Sequence, residues 1–122
     1  MTNLIELEKY LDYKFSSGAF TGKDYLTFQT KYINYLKSLA KESGFECIRV
    51  LKSHYQFSTF FKLDNKYIYL SISDVRYFQN EWYNHILFRT SLTEYDYTGG
   101  QNFYTNLPNL KHSLLTLFNK EF

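Results

Sequence analysis

From His54 to Asp74 the chain alternates with the two-residue period of a β-hairpin whose faces differ sharply in chemistry. Tyr55, Phe57, Thr59, Phe61 and Leu63 fall on one parity, Asp64-Asn65 interrupts, and Ile68, Leu70 and Ile72 resume the apolar series. With Asp64-Asn65 as a two-residue loop, Leu63 faces Lys66 and the register follows by counting outward. Phe61 then opposes Ile68, Thr59 opposes Leu70 and Phe57 opposes Ile72, which makes a core face. The reverse face pairs Phe60 with Tyr69, Lys62 with Tyr67, Ser58 with Ser71 and Gln56 with Ser73. A one-residue slip would bury this aromatic, hydroxylated and basic set, so the register is strongly specified.

Helices flank the hairpin on both sides. Asn3 and Glu6 have the spacing of a capping box, and Leu4, Leu7, Leu11 and Phe15 follow at helical intervals, so a first helix is expected over about residues 4–14. Ser16-Ser17-Gly18 ends it. Thr21, with Asp24 three residues on, opens a second helix over about 22–43; its stripe is Tyr25, Phe28, Tyr32, Leu36 and Leu39, and Gly44 ends it.

A strand over about 46–51 is expected to set Ile48 and Val50 against Cys47 and Arg49. After the hairpin, 74–84 is irregular, with Trp82 and a turn near Gln79-Asn80. A last strand runs over about 85–90, where Ile86 and Phe88 compete with Leu87 for the core. Gly99-Gly100 sits in a polar loop over 93–106, and Pro108 opens a final helix with Leu107, Leu110, Leu114 and Leu117 or Phe118 as its stripe. The expected fold is α+β: two N-terminal helices, a three- to four-stranded antiparallel sheet and a C-terminal helix packed on one sheet face.

At 122 residues this is one domain, 1–122, able to bury a single modest core. One cysteine, Cys47, excludes an internal disulfide and any cysteine cluster, which fits a reducing cytoplasm. No apolar run approaches the roughly 18–20 residues of a membrane span. The start, Met1 to Glu6, lacks the basic-then-apolar pattern of a signal peptide. A net charge of +2 with no basic block is small for non-specific attraction to phosphate. The 13 Tyr and 12 Phe are the unusual quantity, part of which follows from AT-rich coding.

No arrangement of catalytic type stands out. His54, His85 and His112 lack ligand spacing, so no metal and no cofactor is expected. Cys47 beside Ile48 on a strand reads as a buried, inert thiol. Ser71 and Ser73 lack a nucleophile elbow, and Gly99-Gly100 is explained by a tight turn as well as by an anion nest. The densest polar set is Asp74 and Arg76 with Arg89 and Asp96. It reads either as an ion-pair network fixing loops or as a site for a carboxylate, a phosphate or a partner's arginine. An enzyme, such as a small nuclease, would need His54, Asp74, Arg76 and Arg89 in one pocket.

The reverse hairpin face therefore carries the functional expectation. Arg49, Phe60, Lys62, Tyr67, Tyr69 and Arg89 share it if the strands are adjacent. Three uses remain open: stacking single-stranded bases, docking a protein, or packing beneath the first helix as a second core. Phe60, Lys62, Tyr67, Tyr69 and Arg89 are the expected contact residues, and Asp74, Arg76, Trp82, Tyr97 and Gly99 the expected loop platform beside them. A homodimer through an open sheet edge fits the same pattern.

The segments Tyr69 to Phe78, Glu81 to Thr90 and Asp96 to Asn102 resemble small proteins carried on phages, plasmids and integrative elements of low-GC Gram-positive bacteria, over about residues 21–110. Some proteins of such elements are anti-CRISPR or other anti-defence inhibitors. The resemblance implies that setting, and carries over no catalytic residue. Together, face and resemblance lead to the expectation of a non-enzymatic cytoplasmic inhibitor. It would act by protein–protein contact on a host nucleoprotein such as a CRISPR effector. The alternative is a single-stranded nucleic-acid binder.

Overall fold

The computed structural model describes residues 3–15, 22–78, 80–93, 95 and 101–120. In chain order they form α1 (Leu4–Glu8), α2 (Lys23–Ser43), β1 (Glu46–Ser53), β2 (Gln56–Leu63), β3 (Lys66–Ile72), α3 (Glu81–Asn84), β4 (Ile86–Ser91), β5 (Phe103–Thr105), a 3-10 turn (Leu107–Asn109) and α4 (Leu110–Phe118). The strands make one antiparallel sheet of five in the order β1-β2-β3-β4-β5, rather than three or four. The added strand is β5, three residues long, in a stretch the sequence presents as polar loop.

The central hairpin has the register its alternation demands. Leu63 opposes Lys66, Phe61 opposes Ile68, Thr59 opposes Leu70 and Phe57 opposes Ile72. Asp64 takes the positive φ of 54° that a two-residue turn needs. A second tight turn joins β1 to β2, where Ser53 opposes Gln56 and His54 adopts φ 50°. Between Cys47 and Arg49 the β1 register shifts by a bulge, leaving Ile48 as the extra residue. Side-chain parity flips there: Cys47, opposite Phe61, and Val50, opposite Thr59, both pack on the core. The expected pairing of Ile48 with Val50 on one face is therefore corrected. In β4, Ile86 and Phe88 take the core side and Leu87 the other.

α2 supplies most of the helical half of the core. Tyr25, Phe28, Tyr32 and Leu36 are all fully buried, and each large apolar side chain removed from water is worth about 1.5–3 kcal/mol. Trp82, brought in by α3, packs edge-on against Phe28 and Tyr32, and its carbonyl accepts the Tyr32 hydroxyl at 2.6 Å. The helix stops where Gly44 adopts φ 86°, with Phe45 N–H returning to Ala40 O at 3.0 Å. Its N-cap is Gly22, whose N–H donates to the Tyr55 hydroxyl at 2.9 Å; Thr21 lies outside the described residues.

α1 is shorter than expected. Asn3 caps it by accepting Glu6 N–H at 3.0 Å, but the helix ends at Glu8 and the chain turns through Asp12 at φ 63°. Tyr10 and Phe15 then fold onto Phe28. The aromatic core draws them in more strongly than a continued helix would, since such a helix could not set both rings against Phe28.

α4 closes the far side with Leu110, Leu114, Leu117 and Phe118. Lys66, beside the hairpin turn, clamps its end by donating to Phe118 O at 2.7 Å and Lys120 O at 3.1 Å. Among the described residues no helix is long and apolar enough to cross a membrane.

Candidate partner-binding face

Strand pairing decides which side chains share the sheet face turned away from the helices. One row crosses four strands: Arg49 opposes Phe60, Phe60 opposes Tyr69, and Tyr69 opposes Arg89. The Arg89 guanidinium donates to Oδ1 of Asn102, the residue before β5, at 3.0 Å. On one side of this row lie Lys62 and Tyr67, and on the other Ser58, Ser71, Leu87 and Tyr104.

Cations on this face lie against rings. Arg89 Cζ is 5.1 Å from the Tyr69 centroid, and Lys62 Nζ is 5.8 Å from that of Tyr67. Arg49 Cζ is 4.6 Å from the Tyr95 centroid. Tyr95 follows β4, yet its ring meets a β1 residue three strands away, so the chain leaving β4 turns back toward β1. Thr93 anchors this turn: its carbonyl accepts the Ser91 hydroxyl at 2.9 Å, and its hydroxyl accepts Tyr95 N–H at 3.1 Å. Nothing in a polar loop of that length marks Tyr95 in the sequence.

Four of the five expected contact residues lie half-buried on this face: Lys62, Tyr67, Tyr69 and Arg89. Phe60 is the correction. It is 0% exposed, packed at 5.2 Å against Tyr69, and apart from the main core cluster. The first helix does not cover it, because α1 packs with α2 on the opposite side of the sheet. A phenyl ring in a row of long side chains is closed over by its neighbours.

The expected loop platform divides. Asp74 and Arg76 bind each other: the carboxylate accepts Arg76 N–H at 2.9 Å, Nε at 3.1 Å and Nη2 at 2.8 Å. Those hydrogen bonds from Arg76 hold the Asp74 carboxyl below its usual range. The guanidinium also lies 4.4 Å from the Tyr55 ring and 5.2 Å from that of Tyr77, which is 75% exposed. Asp74 and Arg76 thus fix the loop after β3, and the Arg89 guanidinium donates to Asn102 Oδ1. Trp82 is 1% exposed and belongs to the core, not to a surface platform. Tyr97, Gly99 and Asp96 lie outside the described residues.

Of the groups of catalytic type, His54 lies close enough to the Asp74 carboxylate, itself bonded to Arg76, to help hold it below its usual range. Burial pushes the Cys47 thiol up to about 11. His54 sits in the β1–β2 turn, and His85 stacks on Tyr104 at 4.1 Å. His112, on α4, lines a groove of about 230 Å³ with Phe88 and Lys120. Among the described residues no group of three or more His, Cys, Asp or Glu could hold a metal ion. Comparison with known proteins finds no family model, no curated protein and no solved structure that matches the chain.

Proposed function

We propose that this chain is a non-enzymatic binding protein that docks a protein partner on the outer sheet face, as an anti-defence inhibitor of a host nucleoprotein such as a CRISPR effector. The observation that carries the proposal is the row Arg49–Phe60–Tyr69–Arg89, in which the Arg89 guanidinium lies against the Tyr69 ring. Arg and Tyr held in place by packing lose little freedom on binding, which is the composition of interface hot spots. Tyr95 and Tyr104, at 67% and 51% exposed, widen the apolar area beside the row.

Single-strand binding on this face has less support. Base stacking needs an open ring, whereas Phe60 is sealed and the Tyr69 ring is partly covered by Arg89.

The test is plaque formation by a targeted phage on a CRISPR-immune low-GC Gram-positive host expressing the chain. Wild type should restore plaques, and Arg89→Glu should abolish the rescue while melting like wild type. No rescue against any effector type tested, or rescue unchanged by Arg89→Glu, refutes the proposal.

A further inference from the structure

The sheet face leaves unexplained the ridge of α2 that points away from the sheet. Lys23, Thr27, Thr30, Asn34, Lys37 and Lys41 are all exposed. At about 100° per residue they fall within roughly 40° of one line along the helix, while Asp24 and Glu42 lie about 100° around from it. Those two carboxylates sit on a shoulder, where the Tyr13 hydroxyl donates to Asp24 at 2.9 Å. Lys31 lies on that same shoulder, paired with Glu6 at 3.9 Å. The ridge therefore carries three ammonium groups and three uncharged hydrogen-bonding side chains, and no carboxylate.

Spacing along the ridge gives the occupant. Lys23 and Lys37 are about 21 Å apart along the axis, and Lys41 adds about 6 Å. A helix about 10–12 Å across enters a B-form major groove about 12 Å wide, and cations at both ends of the inserted segment then reach phosphates on opposite walls. Thr and Asn between them are residue types that bond phosphates and base edges. The Thr27 hydroxyl already donates to Lys23 O at 3.1 Å, so Thr30 and Asn34 are the two groups offered to the groove floor. An acidic polypeptide would match the lysines but gives no role to the uncharged centre.

We infer that the exposed ridge of α2 docks the phosphate backbone of duplex nucleic acid, with Lys23 at one wall of the major groove and Lys37 and Lys41 at the other. The inference is independent of the sheet-face proposal, since the ridge lies on the opposite side of the molecule.

Fluorescence anisotropy with a labelled 20-base-pair DNA duplex, titrated with the full chain between 25 and 200 mM NaCl, tests it. Three phosphate contacts correspond to a slope of log K against log salt near −2.7, from about 0.9 per contact. The combined variant Lys23→Gln, Lys37→Gln, Lys41→Gln should lose at least tenfold in affinity at 25 mM NaCl while melting like wild type. Arg49→Gln on the sheet face should bind the duplex as wild type does. Absence of duplex binding at 25 mM NaCl, or full binding by the triple variant, overturns the inference. So does loss of binding by Arg49→Gln alone, equal affinity for a single strand of the same length, or binding to phosphatidylserine vesicles in place of the duplex.

Discussion

Thr59 stands on the core face of β2, opposite Val50 and Leu70, with 0% of its surface exposed and no partner for its hydroxyl. Valine has nearly the same shape, so Thr59→Val replaces a stranded hydroxyl by a methyl group at almost constant volume. A buried hydroxyl without a hydrogen bond costs about 1–3 kcal/mol by mutational measures, and β-propensity does not oppose the change. Unfolding entropy near 2.1 cal/mol/K per residue, over 122 residues, is about 256 cal/mol/K. Each kcal/mol is then worth about 4 °C, and the midpoint should rise by about 4–12 °C. Circular-dichroism melting at pH 7 measures it directly. Thr59→Ser isolates the cause, because it keeps the hydroxyl and deletes a buried methyl at a cost of about 1 kcal/mol. If valine leaves the midpoint unchanged or lowers it, the hydroxyl is bonded in solution and the reasoning fails.

Further outcomes follow from the same contacts. Lys66→Met removes the donor to Phe118 O and Lys120 O, and should cost about 1–2 kcal/mol in urea unfolding; unchanged stability would show that the clamp carries no energy. Asp74 titrates lower folded than its ordinary 3.8, so the unfolded chain takes up the proton first as pH falls. The stability this carboxylate contributes is complete above about pH 5 and is lost as pH drops through the folded value. Asp74→Asn should therefore lower stability at pH 7 and flatten the acid side of the stability profile; an unchanged profile would contradict the pairing with Arg76. With its thiol pushed up to about 11, Cys47 should react with Ellman's reagent at pH 8 about 100-fold more slowly folded than unfolded; equal rates would show a thiol open to solvent.

Legibility in the sequence followed the strength of local constraint. The β2–β3 register could be counted because strict alternation and Asp64-Asn65 agree, and a slip would bury Lys62. α2 could be read because its stripe and Gly44 point to the same boundaries. The bulge at Ile48 could not, since β1 is apolar at both parities and only pairing with β2 selects Cys47 and Val50 for the core. The β1–β2 turn carries no glycine, and His54 takes its positive φ without a residue that advertises it. Alternation puts Phe60 on the outer face but does not give its exposure. Parity assigns a face; whether neighbouring side chains close over a ring depends on residues from four strands. The burial of Trp82 is illegible for another reason: a four-residue helix with one buried side chain, in an irregular stretch, leaves no periodicity to read.

The strand order has a kinetic consequence. Each strand's neighbour in the sheet is the next strand in the chain; β1–β2 and β2–β3 close over two-residue turns, whereas β3–β4 and β4–β5 close over the longer stretches 73–85 and 92–102. Closure entropy grows with the logarithm of loop length, and proteins dominated by near-neighbour contacts fold faster than those that must join distant segments. The sheet can therefore zip outward from the Asp64-Asn65 turn, with β5 the last strand to be captured.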